Sequence, residues 1–175
     1  MLRLLILTVL AFVPASIAAQ THTDIIAEIQ TGVVCAPERS DVVAAPDTIS
    51  GTKNVIDHDP PFVSRKHRVP AVLGVGFGVK ARAAEGPLAN VRFTVVHPPM
   101  GPSRVTRQSF ETVIGSNDLS LTFYQFDHAY ELVLGTWKMT ATQGDLLLYS
   151  AEFEVLAPDQ VPELAGVCGF EALLS

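Results

Sequence analysis

Apolar and polar positions alternate with a period of two along most of this chain, the pattern of strands that bury one face. The longest run covers residues 69–82. Val69, Ala71, Leu73, Val75, Phe77, Val79 and Ala81 share one face, while Pro70, Val72, Gly74, Gly76, Gly78, Lys80 and Arg82 share the other. An amphipathic helix does not sustain that period, so the run predicts a half-buried strand. Val91, Phe93 and Val95 repeat the pattern against Arg92, Thr94 and Val96, after a polar connection holding Gly86 and Pro87. Residues 24–34 read as a first strand with Ile25, Ala27 and Ile29 on one face. Phe110, Thr112 and Ile114 alternate with Ser109, Glu111 and Val113, and residues 119–126 form an aromatic-rich strand. The clearest hairpin comes last: Trp137, Met139 and Ala141 point inward, Thr142-Gln143-Gly144-Asp145 turns the chain, and Leu147, Tyr149, Ala151, Phe153 and Val155 return. Trp137, the one tryptophan, reads as a core anchor because its same-face neighbours are apolar.

Helix signals are confined to a short turn near residues 160–165 in the C-terminal tail, which Gly166 limits. About seven short strands punctuated by Pro and Gly predict an all-β, antiparallel sandwich, since one wet face per sheet explains the alternation better than a parallel sheet does. Residues 36–66 interrupt the pattern as one long loop rich in Pro and Asp. A sandwich tolerates such an insertion, and a loop of this length is also where function concentrates.

The first 19 residues set the compartment. Arg3 precedes an apolar run from Leu4 to Val13, Pro14 ends it, and Ser16-Ile17-Ala18-Ala19 offers small residues at a cleavage point, which together describe a secretory signal peptide. The run is about half the length a membrane span needs, and Gln20 stands where a lipoprotein would have its cysteine. Residues 20–175 are therefore expected to form a single β-sandwich domain, periplasmic or secreted, with no integral membrane anchor. Cys35 and Cys168 lie in that part, and an even count in an oxidising compartment favours a structural disulfide. A net charge of −6, with 12 Lys plus Arg against 18 Asp plus Glu, argues against nucleic acid as a partner.

Candidate chemistry is thin. Gly74-x-Gly76-x-Gly78-x-Lys80 lacks the Ser or Thr and the glycine spacing of a phosphate loop, so it reads as a strand face left bare for another backbone or ring to pack close. Asp57, His58, Asp59 and His67 are of metal-ligating type but follow no recognised ligand spacing, and His in a polar loop is commonly just solvated. His97 and Met100 could suit copper, but Pro98 and Pro99 favour a rigid turn that ends a strand. No G-x-S-x-G elbow occurs, the adjacency of Asp127 and His128 does not make a triad, and Glu131 reads as a solvated edge carboxylate. No catalytic, cofactor-binding or metal residue is assigned.

Several of these pieces occur in a recognisable order. Gly32 in the first strand is followed by Val69-Pro70-Ala71, Gly74, Phe77-Gly78, His97-Pro98, Phe126-Asp127, Glu131, Gly135-Thr136-Trp137 and Phe153-x-Val155. This order resembles the secreted bacterial family called domain of unknown function 3859. Leu134 stands where that pattern often has Pro, and residues 41–59 and the cysteine pair have no counterpart in it. The resemblance implies an extracytoplasmic location in a Gram-negative bacterium and brings no catalytic residue. The closing Gly-x-Trp, hairpin and Phe-x-Val are also similar to the final strands of immunoglobulin-like sandwiches. The expected function is a protein- or ligand-binding module, its partner another extracytoplasmic protein, met at residues 41–66 or 97–104. The competing class is an extracytoplasmic hydrolase or metal-dependent enzyme on the same scaffold.

Overall fold

The computed structural model describes residues 20–35 and 41–168. The expected leader, residues 1–19, lies outside them. Eleven strands follow in chain order: β1 (Gln20–His22), β2 (Ile26–Cys35), β3 (Asp41–Ala44), β4 (Thr52–Val55), β5 (Arg68–Pro70), β6 (Val75–Ala83), β7 (Leu88–Met100), β8 (Val105–Ile114), β9 (Ser120–Gln125), β10 (Gly135–Gln143) and β11 (Leu146–Leu156). Seven of them are long and build the sandwich; β1, β3, β4 and β5 are three or four residues each.

One sheet runs β2-β6-β9, and the other runs β1-β11-β10-β7-β8 with β5 also on β11. Neighbouring strands are antiparallel except β5, which lies parallel to β11. The chain crosses between the sheets at β2, β5, β6, β7, β9 and β10, so strands from both sheets meet across one core. That connectivity, with a split first strand whose second half runs parallel to the last, is the arrangement of an immunoglobulin-like sandwich. The outer margin of β11 is shared by β1, opposite residues 149–151, and β5, opposite residues 154–156. Covering it in this way removes one open edge.

The expected strand over residues 69–82 is two strands in different sheets. Val72 and Gly74 make the turn between them: Val75 N–H bonds to the Val72 carbonyl and Gly74 takes φ +81°. Val69 and Val75 both face the core, from opposite sides, but the period breaks in the turn between them, where Val72 is buried and Leu73, expected on the apolar face, is exposed. Alternation reports which residues are buried and not which sheet holds them. In the first strand Ile26, not Ile25, is buried, because a bulge between Ile26 and Glu28 shifts the phase. A second bulge at Ala141/Thr142 does the same in the last hairpin, turning Leu147 outward and Leu148 inward.

Trp137, Phe77, Phe93, Phe126, Phe153 and Tyr149 are fully buried. Phe77 sits at their centre, with ring centroids 5.5 Å from Trp137, 5.1 Å from Phe153 and 5.6 Å from Phe126. The anchor role expected of Trp137 holds, and its indole N–H is satisfied by the Val133 carbonyl at 3.1 Å. Single-turn 3-10 segments at Pro158–Gln160 and Pro162–Leu164 bring Val161, Leu164 and Ala165 onto this core. Just beyond them Cys168 is disulfide-bonded to Cys35 at the end of β2.

The bare glycine face has the use expected of it. Gly32 opposes Gly78 across β2 and β6. A Cβ on Gly32 would stand 2.3 Å from the Ser64 carbonyl oxygen and 2.7 Å from the Phe62 ring, and one on Gly78 2.4 Å from the Thr122 carbonyl oxygen. Residues 62–64 of the long loop lie on the outer side of Gly32 and bond to Val33 through both backbone groups.

Two outcomes test this account. Cys35→Ser should lower the unfolding free energy by about 2–5 kcal/mol, because the cross-link closes a loop of 133 residues; a guanidinium titration that overlays wild type would refute it. Gly78→Ala should cost about 1–3 kcal/mol through overpacking against sheet backbone. Gly32→Ala should instead expose residues 62–64 to hydrogen exchange while the sandwich stays folded.

Candidate functional site: a cleft beneath a strap

Residues 41–66, expected as a structureless loop, form a strap. Its first part is the two-strand hairpin β3–β4, paired from Asp41↔Val55 to Ala44↔Thr52. Nothing in the local sequence demands these strands, and anchors to the sandwich hold them. Ser109 N–H bonds to the Asp47 carbonyl, and Arg92 reaches the Asp47 carboxylate at 3.2 Å. Lys53 Nζ donates to the Glu111 carbonyl at 2.6 Å and lies 4.8 Å from the centre of the Phe110 ring. Asn54 Nδ2 donates to Asp127 Oδ2 at 3.0 Å. Burial holds the Lys53 ammonium below the ordinary lysine pKa, partly offset by Glu111.

Between this hairpin and the margin where β8 and β9 part lies a cleft of about 540 Å³. The size is that of a small-molecule or peptide site. From β8, alternate residues line it: Gln108, Phe110 and Thr112. From β9 every residue from Ser120 to Gln125 lines it, and from β4 every residue from Thr52 to Val55. Asp59, Asp127, His128 and Glu131 also line it. Its walls are mixed: hydroxyl, amide and aromatic groups, the aliphatic Val42, Val55, Ile56, Val95 and Leu121, three carboxylates and the ammonium of Lys53.

Under the cleft runs a buried polar chain. His97 Nδ1 lies 2.8 Å from the Pro98 carbonyl, which can only accept, so Nδ1 carries the proton and Nε2 accepts. Gln108 Nε2 donates to His97 Nε2 at 3.2 Å and to the Tyr124 hydroxyl at 3.4 Å, and its Oε1 accepts the Ile49 N–H at 2.8 Å. Tyr124 donates to Glu131 Oε1 at 2.8 Å, while Glu131 Oε2 accepts the N–H groups of Asp127 and His128. Burial, with the nearby Glu131 charge, pushes the Tyr124 phenol well above its ordinary pKa. His97 also stacks on Trp137, centroids 4.7 Å apart.

This geometry corrects two expectations. Glu131 is not a solvated edge carboxylate. It is 7 % exposed, ends the 3-10 turn Ala129–Glu131 and accepts three hydrogen bonds. The prolines after His97 do not end a strand either. β7 continues to Met100, with the ladder shifting between Val96 and Met100, and the turn comes at Gly101, which takes φ +67°. Pro98 and Pro99 lie within that irregular step, where missing N–H groups cost no regular ladder bond.

The metal-type residues do not converge. Asp57 and His58 are exposed on the strap, Asp59 pairs with Lys80 at 3.8 Å, and His67 lies elsewhere, its Nε2 2.6 Å from Thr31 Oγ1 and its ring 4.9 Å from that of Phe153. Among the described residues no group of three or more His, Cys, Asp or Glu could hold a metal. Met100 is buried with Sδ 3.9 Å from the Tyr124 hydroxyl, while His97 Nε2 is engaged by Gln108. Among the described residues no helix is long and apolar enough to cross a membrane. Gln108, Asn54 and Gln125 were not singled out by their sequence context. Gln108 alone carried a signal, as a polar residue sharing the strand parity of Phe110 and Ile114.

Burial lowers the pKa of His97, with the Pro98 carbonyl and Glu131 offsetting part of the effect. Burial also lowers that of His67, whose Nδ1 has no aligned partner. A histidine depressed in the folded state lets the unfolded chain bind protons first, so its contribution is complete above about pH 6.5 and is lost as pH falls toward the folded value. The unfolding midpoint of wild type should drop over that window. It should flatten in His67→Asn/His97→Asn and keep part of its slope in either single variant, and a double variant with the wild-type slope would refute the assignment. Glu131→Ala strands three donors and should cost about 3 kcal/mol or more, whereas Tyr124→Phe removes one donor and should cost about 1 kcal/mol.

The family model described as "Domain of unknown function (DUF3859)" matches residues 22–155, and the chain belongs to that family. No curated protein matches. Among solved structures the chain is similar to an immunoglobulin-like protein from Pseudomonas aeruginosa, at 21% identity and a TM-score of 0.47, over 81% of this chain and 100% of that one.

Proposed function

We propose that this member of the DUF3859 family is an extracytoplasmic binding module whose ligand occupies the cleft beneath the strap. On this reading residues 1–19 are removed as a leader, and residues 20–175 work in the periplasm or outside the cell. The Cys35–Cys168 bond supports that compartment, because such cross-links persist where thiols are not kept reduced. The observation that carries the binding role is the cleft itself: about 540 Å³ between two parts of the fold, with a floor whose polar groups are held by one another. A preorganised floor spares a ligand the cost of ordering it. The lid is a hairpin held by a handful of polar contacts, which fits a wall that yields to admit a partner.

The partner expected is another extracytoplasmic protein, met through cleft residues and not through a catalytic group. Thr112→Trp tests the site, since it fills the cleft from the β8 wall. Amide NMR of the wild type, titrated with mixed sugars, amino acids and short peptides, should shift Phe110, Thr112, Leu121, Tyr124 and Gln125 as a group. The variant should fold normally and lose that response. Shifts confined to another surface, or equal in the variant, would overturn the reading.

A further inference from the structure

The geometry points to one class of occupant: an extended peptide segment of a partner protein, added as a strand to the free edge of β9. This rests on the cleft being the binding site. In a strand successive side chains point to opposite faces, so a cavity that meets a strand by its face is lined by alternate residues. β8 behaves so, contributing Gln108, Phe110 and Thr112. β9 does not. All six of its residues from Ser120 to Gln125 line the cleft, which places its hydrogen-bonding edge against the space. β9 is the last strand of its sheet, paired only with β6. Among the described residues, the backbone groups of residues 120–125 make no hydrogen bond outside that ladder.

Alternate residues of an antiparallel strand turn both their N–H and C=O away from the partner strand. The β9 edge thus offers donors and acceptors at strand spacing, a pattern an extended backbone matches along its length. Opposite it, β4 also lines the cleft with four consecutive residues, so an added strand is flanked on its far side by Lys53 and Asn54. Asp127 fixes the polarity of two amides. It accepts from Asn54 Nδ2 at 3.0 Å and from Gln125 Nε2 at 2.8 Å, which turns Asn54 Oδ1 and Gln125 Oε1 outward as acceptors. Glu131 lies beside Asp127, whose N–H it accepts, while Asp59 is paired with Lys80 and Lys53 is bonded to the Glu111 carbonyl. The two outward amide oxygens therefore favour a ligand that brings donors there.

The probe is a positional-scanning library of capped hexapeptides, with and without a central Pro, measured by fluorescence polarisation on the full disulfide-bonded chain. Peptides without the Pro are expected to bind at least tenfold tighter than those with it, because Pro cannot donate to a strand edge. N-methylation along the best peptide should weaken binding at least tenfold at every second position, and the β9 amides that point away from β6 should gain hydrogen-exchange protection. An N-methyl scan without that period would show side-chain contact only and overturn the proposal. So would a dimer forming through β9, which would give the edge to a second copy. If sugars or amino acids shift the cleft residues while no hexapeptide binds below millimolar, the strand proposal falls and the cleft survives as a site. If nothing shifts them, both fall.

Discussion

A sandwich of three strands against six cannot close along both sides. Where β8 and β9 part, each ends its sheet, and their outer backbone groups meet no strand. An edge of that kind invites pairing with whatever strand arrives, and natural proteins cover it, charge it or bend it away. This chain covers it only partly. The strap crosses the opening without pairing with either edge, anchored to β8 by Ser109 N–H and Lys53 Nζ and to the far side through Asn54. A gap that is roofed but not filled is the cleft. The opposite margin shows the other solution, since β1 and β5 share the exposed side of β11.

Gln108 joins the roof to the core. Its amide spends its donors on His97 and Tyr124 and its acceptor on the Ile49 backbone of the strap. Reversing the amide would set its oxygen against the Nε2 lone pair of His97 and its NH₂ against the Ile49 N–H, so the network admits one orientation. Buried polar chains of this kind contribute less net stability than apolar packing but penalise every alternative arrangement. Here that sets where the strap rests over the sheet when the cleft is empty. Glu131 extends the same logic, because its carboxylate holds the turn after β9 through two backbone N–H groups and positions Tyr124 through the third donor.

Much of the sandwich was legible in the sequence because its strands are half-buried and bury by parity. Phe77, Phe93, Trp137, Met139, Phe153 and Val155 were all placed inward by period alone, and the glycine face of β6 was readable because Gly76 and Gly78 on one side leave a groove. Burial does not reveal which sheet a residue joins, so the turn at residues 71–74 passed unseen. Bulges at Ile26/Glu28 and Ala141/Thr142 shift the phase by one residue without any compositional mark. The hairpin β3–β4 was invisible for a deeper reason. Its strands are held by anchors tens of residues distant in sequence, and no local propensity records them. Glu131 was misread because a carboxylate satisfied by backbone N–H groups has no charged partner to betray its burial.

Several residues that carry the family resemblance meet beneath the cleft, while Val69-Pro70 and Val155 lie at the opposite margin. His97 stacks on Trp137, Gly135 takes φ +123° with Pro98 only 3.2 Å from where its Cβ would stand, and Asp127 and Glu131 close the turn after β9. With Gly32 and Gly78 on the outer face of the small sheet, these set the floor, one end of the cleft and the seat on which residues 62–64 rest. The hairpin that roofs the cleft contains none of them. Changes in residues 41–59 can alter what the roof contacts while Gln108, Tyr124 and Glu131 keep the floor in place, because the strap meets that floor through few side chains. On the proposed binding role, affinity and selectivity are divided in space: a strand edge and a fixed polar floor would supply binding common to many sequences, and the strap would decide which of them fits.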